Sequence, residues 1–274
     1  MADGLLMIAG GAAAGVFGSL LGLGGGILIV PLLTLGFGLD LRQAVGVSLV
    51  AVIVTSGASA GVYLQRHVAN LRLGMTLELF TAIGALIGGL VAFLLSDRVL
   101  AGLFAGLLVY SAVSMLRRGG VDEAVSPDDV EAAPASPKGP PFAESLGGPG
   151  YTVSHLGLGA AGSVGAGVVS ALLGLGGGLV KVPVMHLVMG VPLRVATATS
   201  NLMIGVTASA SAVIYLLRGE IDPFVAGPTA IGVFLGATLG SRTAHRIELR
   251  YLRILFVVVL LYTAVQMLRR AVGA

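Results

Sequence analysis

The sequence predicts an all-α polytopic membrane protein built from two inverted repeats of about five helical segments each, with short helical hairpins broken by glycine. Three observations predict it. The 274 residues are 56% hydrophobic and only 11% charged, with a mean hydropathy of +0.99. A soluble domain carries about 25% charged residues, so this chain lacks the polar surface to face water. Apolar stretches also run as long as the roughly 20 residues that cross a bilayer core. Finally, the chain repeats itself. Leu21-Gly22-Leu23-Gly24-Gly25-Gly26 recurs as Leu173-Gly174-Leu175-Gly176-Gly177-Gly178, Val30-Pro31 as Val182-Pro183, and Met115-Leu116-Arg117-Arg118 as Met267-Leu268-Arg269-Arg270, always 152 residues on (174 − 22 and 270 − 118 alike). Helix-interrupting segments at matching places in two halves are the sequence pointer to a transporter's substrate site.

Residues 1–118 make the first repeat, with apolar segments at 4–21, 27–39, 43–64, 73–95 and 99–116. The first has no basic flank, and its counterpart lies mid-chain. It therefore belongs to the repeat and is expected to be retained rather than cleaved as a signal peptide. The second spans about 20 Å at 1.5 Å per residue, short of a hydrocarbon core of roughly 30 Å. Following a triple glycine, it predicts a hairpin that turns back inside the membrane, where irregular backbone must be buried in protein or line a wet cavity. The third carries a stripe of hydroxyls, the fourth is interrupted only by Glu78, and the fifth is free of charge.

Residues 119–150 change character abruptly, being rich in Pro, Gly, Ala and Ser and holding Asp122, Glu123, Asp128, Asp129, Glu131 and Glu144. They predict a flexible cytoplasmic linker. Residues 151–274 repeat the pattern at 156–173, 179–191, 195–217, 224–247 and 249–268. Arginine bias tests the orientation of the halves. Arg66, Arg72, Arg117 and Arg118 share one side in the first half, whereas Arg194, Arg246, Arg250 and Arg253 gather on the opposite equivalent side in the second. That switch is what the positive-inside rule expects of inverted repeats. Arg269 and Arg270 run against it.

The formal charge of +3 sits at the ends of apolar spans, so it marks topology and gives no reason to expect nucleic acid. The chain has no cysteine, which excludes disulfides, thiolate catalysis and Cys-ligated metals. No spacing sets a nucleophile beside a base, and no cofactor or metal site is expected.

The candidate binding residues begin with Gly24, Gly25, Gly26 and Gly176, Gly177, Gly178. A helix starting after each triplet leaves its first N–H groups without intrahelical partners, and with the positive end of its dipole these form an anion site. The third segment adds Ser48, Thr55 and Ser59 on one helix face, repeated as Ser200, Thr207 and Ser211 with Thr197 and Asn201 beside them. Hydroxyls and a carboxamide can donate to an oxyanion without the cost of burying charge. Lys181 stands where the first half has Ile29, in the first turns of the second short helix. Ionisable residues inside a membrane are expensive and mark function. Glu78 and His186 are the remaining submerged ionisable groups and the candidates for coupling.

Leu-Gly-x-Gly-Gly-Gly followed by Val-Pro, present twice, together with Ala196-Thr197-Ala198-Thr199-Ser200-Asn201, resembles the TauE/SafE sulfite exporter family, also called the toluenesulfonate uptake permease family. The resemblance covers nearly all of the chain outside the linker. It implies a multi-pass inner-membrane transporter of sulfite, sulfate-like or organosulfonate anions, with Gly24–Gly26, Gly176–Gly178, Pro31 and Pro183 bordering the anion site. Val47 stands where such proteins often carry Thr, so no role is carried over to it. The expected function is secondary export of a small sulfur oxyanion, with a passive channel or a proton-coupled uptake permease as the alternatives. Its partners are the anion and the lipid bilayer, and a homodimer is compatible with the sequence.

Overall fold

The computed structural model describes residues 2–21, 25–65, 69–117, 146–148, 150–243 and 249–272. Gly24, Arg66, Arg118, Arg246 and nearly all of the linker lie outside them. The first half forms α1 (Ala2–Leu21), α2 (Gly26–Pro31, continued as a π-helical turn over Leu32–Gly36), α3 (Leu41–Gln65), α4 (Leu71–Ala92) and α5 (Asp97–Arg117). The second forms α6 (Leu156–Leu173), α7 (Gly178–Pro183, continued as a π turn over Val184–Val188), α8 (Leu193–Leu217), α9 (Pro223–Thr243) and α10 (Leu249–Val272). Labels five apart are repeat partners. Among the described residues there is no strand, only an isolated bridge between Gly148 and Tyr151.

The short helices change pitch for a reason written in the repeat. Pro31 and Pro183 have no N–H to give the carbonyls of Ile27 and Leu179 four residues back, so the ladder slips to the wider π spacing. Gly38 and Gly190, with φ of 71° and 74°, then release the chain into α3 and α8. The predicted segment at 27–39 is therefore helical only to Gly36.

Each half lends its first helix to the other. α1 packs along α9, and its repeat partner α6 packs along α4. Glycines make both crossings close enough for backbone contact. A Cβ added at Gly11 would lie 2.7 Å from the Thr229 carbonyl oxygen, and one at Gly88 would lie 2.7 Å from Val168 Cα. Gly15 and Gly236, and Gly167 and Gly84, are equally tight against the facing helix. Gly84, Gly88, Gly232 and Gly236 thus form the small-residue crossings by which membrane helices pack closely. α3 and α8 meet at the centre, and α5 pairs with α10 on the outside.

The distribution of side chains is inside-out relative to a water-soluble protein. Met75 and Leu79 on α4 are 74% and 64% exposed, while Ser48, Glu78, Lys181 and Thr207 are buried. Among the described residues, seven helices are long and apolar enough to cross a bilayer, among them Leu71–Ala92 and Val195–Leu217; the helical stretches Gly26–Gly36 and Gly178–Val188 are too short. The chain is a multi-pass membrane protein with an apolar rim and a polar centre.

Candidate functional site

The two glycine turns arrive at that centre. Gly25 and Gly177 precede α2 and α7 in the left-handed conformation, at φ 74° and 78°. A β-carbon disfavours that conformation, so the abrupt reversal into each short helix depends on glycine there. The two turns lie against each other's strands of backbone. A Cβ at Gly26 would come within 2.7 Å of the Gly174 carbonyl oxygen, and one at Gly174 within 3.0 Å of the Val45 carbonyl oxygen. Ser48 ties the seam from above, donating to Gly174 O at 2.7 Å, with Gly26 O at 3.3 Å.

Hydroxyls surround the second turn. Ser200 Oγ lies 3.5 Å from where a Cβ on Gly178 would be, and Ser170 Cβ lies 3.3 Å from that point on Gly177. Both Ser170 and Ser200 are buried, and neither hydroxyl has a hydrogen-bond partner among the described residues. Buried polar groups are nearly always satisfied, so two orphan donors beside one glycine turn are a chemical signal. Ser170 was not among the binding residues expected from the sequence. Its signal was available, since it lies four residues before Gly174.

The rest of the predicted stripe divides. Thr55 donates to Val52 O at 3.0 Å and Ser211 to Thr207 O at 3.1 Å, and Thr197 turns back to Leu193 O at 2.8 Å. These bonds serve their own helices. Asn201 is buried, and its backbone carbonyl accepts from Ser56 at 2.7 Å, a contact between the halves that the sequence did not announce. The side chain of Ser59 lies outside the described residues.

Thr207 has a different task. Lys181 Nζ lies 3.0 Å from Glu78 Oε2 and donates to Thr207 Oγ1, which is itself 2.6 Å from Glu78 Oε1. Lys181 is 1% exposed. Its aliphatic stem passes Gly177, with Cε 3.5 Å from the place a Cβ would take. The triad therefore joins α4 of the first half to α7 and α8 of the second, and it borders the glycine turn. His186 is elsewhere: its Nδ1 donates to Val191 O at 2.9 Å and fastens the end of the π turn.

A second opening does not suit an anion. A cavity of about 420 Å³ between α1, α2 and α10 is walled by residues such as Phe17, Leu28, Pro31, Phe256 and Tyr262. The centre, with its donors, is the better candidate.

The comparisons agree with this architecture. The family model "Sulfite exporter TauE/SafE" matches residues 7–267. The chain belongs to the TauE/SafE sulfite exporter family. It is 27% identical to a probable membrane transporter protein, YunE, of Bacillus subtilis, over 96% of this chain and 97% of that one. A probable membrane transporter protein of Methanocaldococcus jannaschii, MJ0441, is also 27% identical, over 91% and 90%. YdhB of Bacillus subtilis, again a probable membrane transporter protein, is 24% identical over 83% and 85%. No solved structure matches. As a TauE/SafE member with several membrane-length helices, the chain is a transmembrane transporter.

Proposed function

We propose that the chain is a secondary transporter that exports a small sulfur oxyanion, sulfite or an organosulfonate, through the central site at the two glycine turns. One observation carries the reading: two left-handed glycines start inward-lying short helices, and buried, unpartnered hydroxyls stand beside one of them. Helix-terminal N–H groups and the hydroxyls of Ser170 and Ser200 would hold oxygen atoms by hydrogen bonding, with Ser48, Gly25, Gly26, Gly176–Gly178, Lys181, Asn201, Thr55 and Thr207 completing the surroundings. The two repeats, inverted across the membrane, would open the site to either side in turn.

Direction follows from charge. Moving one charge through 100 mV is worth roughly 2.3 kcal/mol, so a dianion leaving a cell that is negative inside gains about 4.6 kcal/mol. Export runs with that field and uptake against it. An intramembrane hydrolase is disfavoured because the ammonium of Lys181 faces Glu78 and Thr207 rather than a serine nucleophile. Gly57-Ala58-Ser59-Ala60-Gly61 has the spelling of a nucleophile elbow but lies within α3, with no strand before it.

Counterflow in proteoliposomes tests the reading, using sulfite, sulfate, thiosulfate, sulfonates and carboxylates. A carrier shows saturable uptake stimulated by the same anion on the far side, and efflux of a dianion such as sulfate quickens when the interior is made negative. Flux without stimulation from the far side would make the protein a channel.

A further inference from the structure

Lys181 and Glu78 share one slot in the pseudo-symmetric pattern, and the other slot is neutral. The positions 152 residues away are Ile29 and Ala230, while Thr207 keeps its counterpart Thr55. The slots are equivalent by their packing, since α2 lies on α3 as α7 lies on α8, and α9 on α3 as α4 on α8. The fold therefore accommodates an aliphatic pair where the second half carries charge. Replacing a buried ion pair by apolar groups is often neutral or stabilising, so packing alone gives no reason to retain one. Retention with Lys181 bordering a glycine turn and two unpartnered hydroxyls is a sign of use.

Resting on the functional reading above, we propose that Glu78 is the resident counter-ion of Lys181 and that it leaves as a neutral acid when the transported anion arrives, so that one proton accompanies each anion. In the unloaded site the ammonium is paired with the carboxylate. A substrate anion entering at Gly177, Ser170 and Ser200 meets the same ammonium, and two anions cannot share it at low cost. Glu78 takes one proton from the loading side, its carboxylate becomes a carboxylic acid that still bonds Thr207, and the ammonium turns to the substrate. On release, Glu78 gives the proton to the unloading side and pairs with Lys181 again. Among the described residues, the other titratable groups on the packed elements stand apart from the pair: α4 has Arg72, exposed in its first turn, Tyr151 before α6 is bonded to Asn70, α6 has no ionisable side chain between Leu156 and Leu173, α8 has Arg194 and Tyr215 at its ends, and the π turn after α7 has His186, engaged with Val191 O. An exported dianion then moves one net charge rather than two.

The test is binding and transport of a strong-acid oxyanion, because sulfite itself titrates near neutrality. Methanesulfonate and sulfate stay ionised throughout and serve as probes. Wild-type affinity should fall about tenfold per pH unit on the alkaline side, the linkage expected of one proton taken up per anion. Glu78→Gln should bind several-fold more tightly there, without pH dependence, and proteoliposomes should lose the proton that moves with the anion. Lys181→Met should lose binding. The double variant Glu78→Gln with Lys181→Met should fold like the wild type, as the neutral slot of the first half does, yet bind no better than Lys181→Met. Wild-type binding that ignores pH, or pH-dependent binding that survives in Glu78→Gln, overturns the coupling and leaves the transporter reading standing. Absence of binding and counterflow for every anion tested sinks that reading, and the coupling with it.

Discussion

Arg270, two residues from the end of α10, donates to the carbonyl oxygen of Thr34 at 2.7 Å, 236 residues away. Thr34 sits in the π turn that ends α2, where carbonyls lack helical partners and a cation is favoured by the dipole. Arg270 is one of the two arginines that contradicted the positive-inside pattern. Its position is explained by a helix end it closes, so it is weak evidence about which side faces the cytoplasm. Arg42 does the same at the end of α4, donating to Leu95 O at 2.6 Å and pairing with Asp97 at 3.4 Å.

Arg270→Ala should lower stability by about 1 kcal/mol, below the roughly 1.5–3 kcal/mol of a buried bond to a charged group, because the side chain is partly solvated. Thermal denaturation in detergent measures it. Arg270→Lys should recover part of the loss, since an ammonium can still reach a carbonyl. Equal midpoints for all three proteins would remove Arg270 from the helix end.

Gly25→Ala and Gly26→Ala should separate backbone conformation from space. A Cβ at Gly25 meets nothing nearer than Ala14 O at 3.6 Å, so the cost is that of a left-handed residue, about 1–2 kcal/mol. At Gly26 the Cβ would press on Gly174 O and Val52 at 2.7 Å, so the two turns must part. Counterflow should survive in the first and vanish in the second. Gly25→Leu and Gly177→Leu should lose transport while the purified proteins remain folded.

Ser200→Ala and Ser170→Ala should each leave the empty protein as stable as wild type or more so, by up to about 1 kcal/mol, because a buried hydroxyl without a partner is removed. Both should weaken anion binding several-fold. Ser48→Ala should behave oppositely in stability, losing about 1 kcal/mol with its bond to Gly174 O. Melting curves with and without sulfite, beside titration of the anion, distinguish the groups. Unchanged affinity in Ser200→Ala and Ser170→Ala would return those hydroxyls to the packing.

Gly167→Leu should fail through assembly. Its side chain would enter the backbone of α4 at Thr81, and overpacking at such a crossing costs about 1–3 kcal/mol or more. Yield and melting point should drop, because the two helices can no longer meet at backbone distance. A selective loss of affinity at normal yield would show the crossing to be part of the site.

The repeat made the helices legible. Predicted segments begin and end within about four residues of the observed ones at nearly every boundary, because in a membrane chain apolar runs, glycine breaks and flanking arginines punctuate helices directly. Partners were not legible. Lipid surrounds the rim, so a span such as α4 has no polar outer face to report its rotation, and nothing in its periodicity says that α6 rather than its own α1 lies beside it. Glu78 was read only as a submerged coupling candidate, and its partner was not foreseen; α4 begins at Leu71 and places it two turns in and buried. Comparing the halves for charge would have exposed it, since Glu78 and Lys181 are opposite in sign and face neutral residues in the other copy. Asn70 was missed altogether. Its Oδ1 accepts from Leu73 N to cap α4, while its Nδ2 donates to Leu146 O and Tyr151 Oη at 2.8 Å each, distant bonds that nothing in the local sequence announces.

The loan of α1 to α9 and of α6 to α4 sets the order in which the molecule can be made. α1 is made long before its partner, because the notch that fits its Gly11 and Gly15 is carried by α9 in the second half. Until then the nascent first half holds α1 against lipid with no lasting neighbour, while α4 waits only for α6. The seam between α1 and α9 therefore closes late, with only that between α5 and α10 after it, and is a natural place for a quality-control protease to test an unfinished chain. A single repeat made alone would carry two unmatched notched faces, and it would find them matched in a second copy of itself. That is the arrangement a fused pair of ancestral half-length chains would preserve.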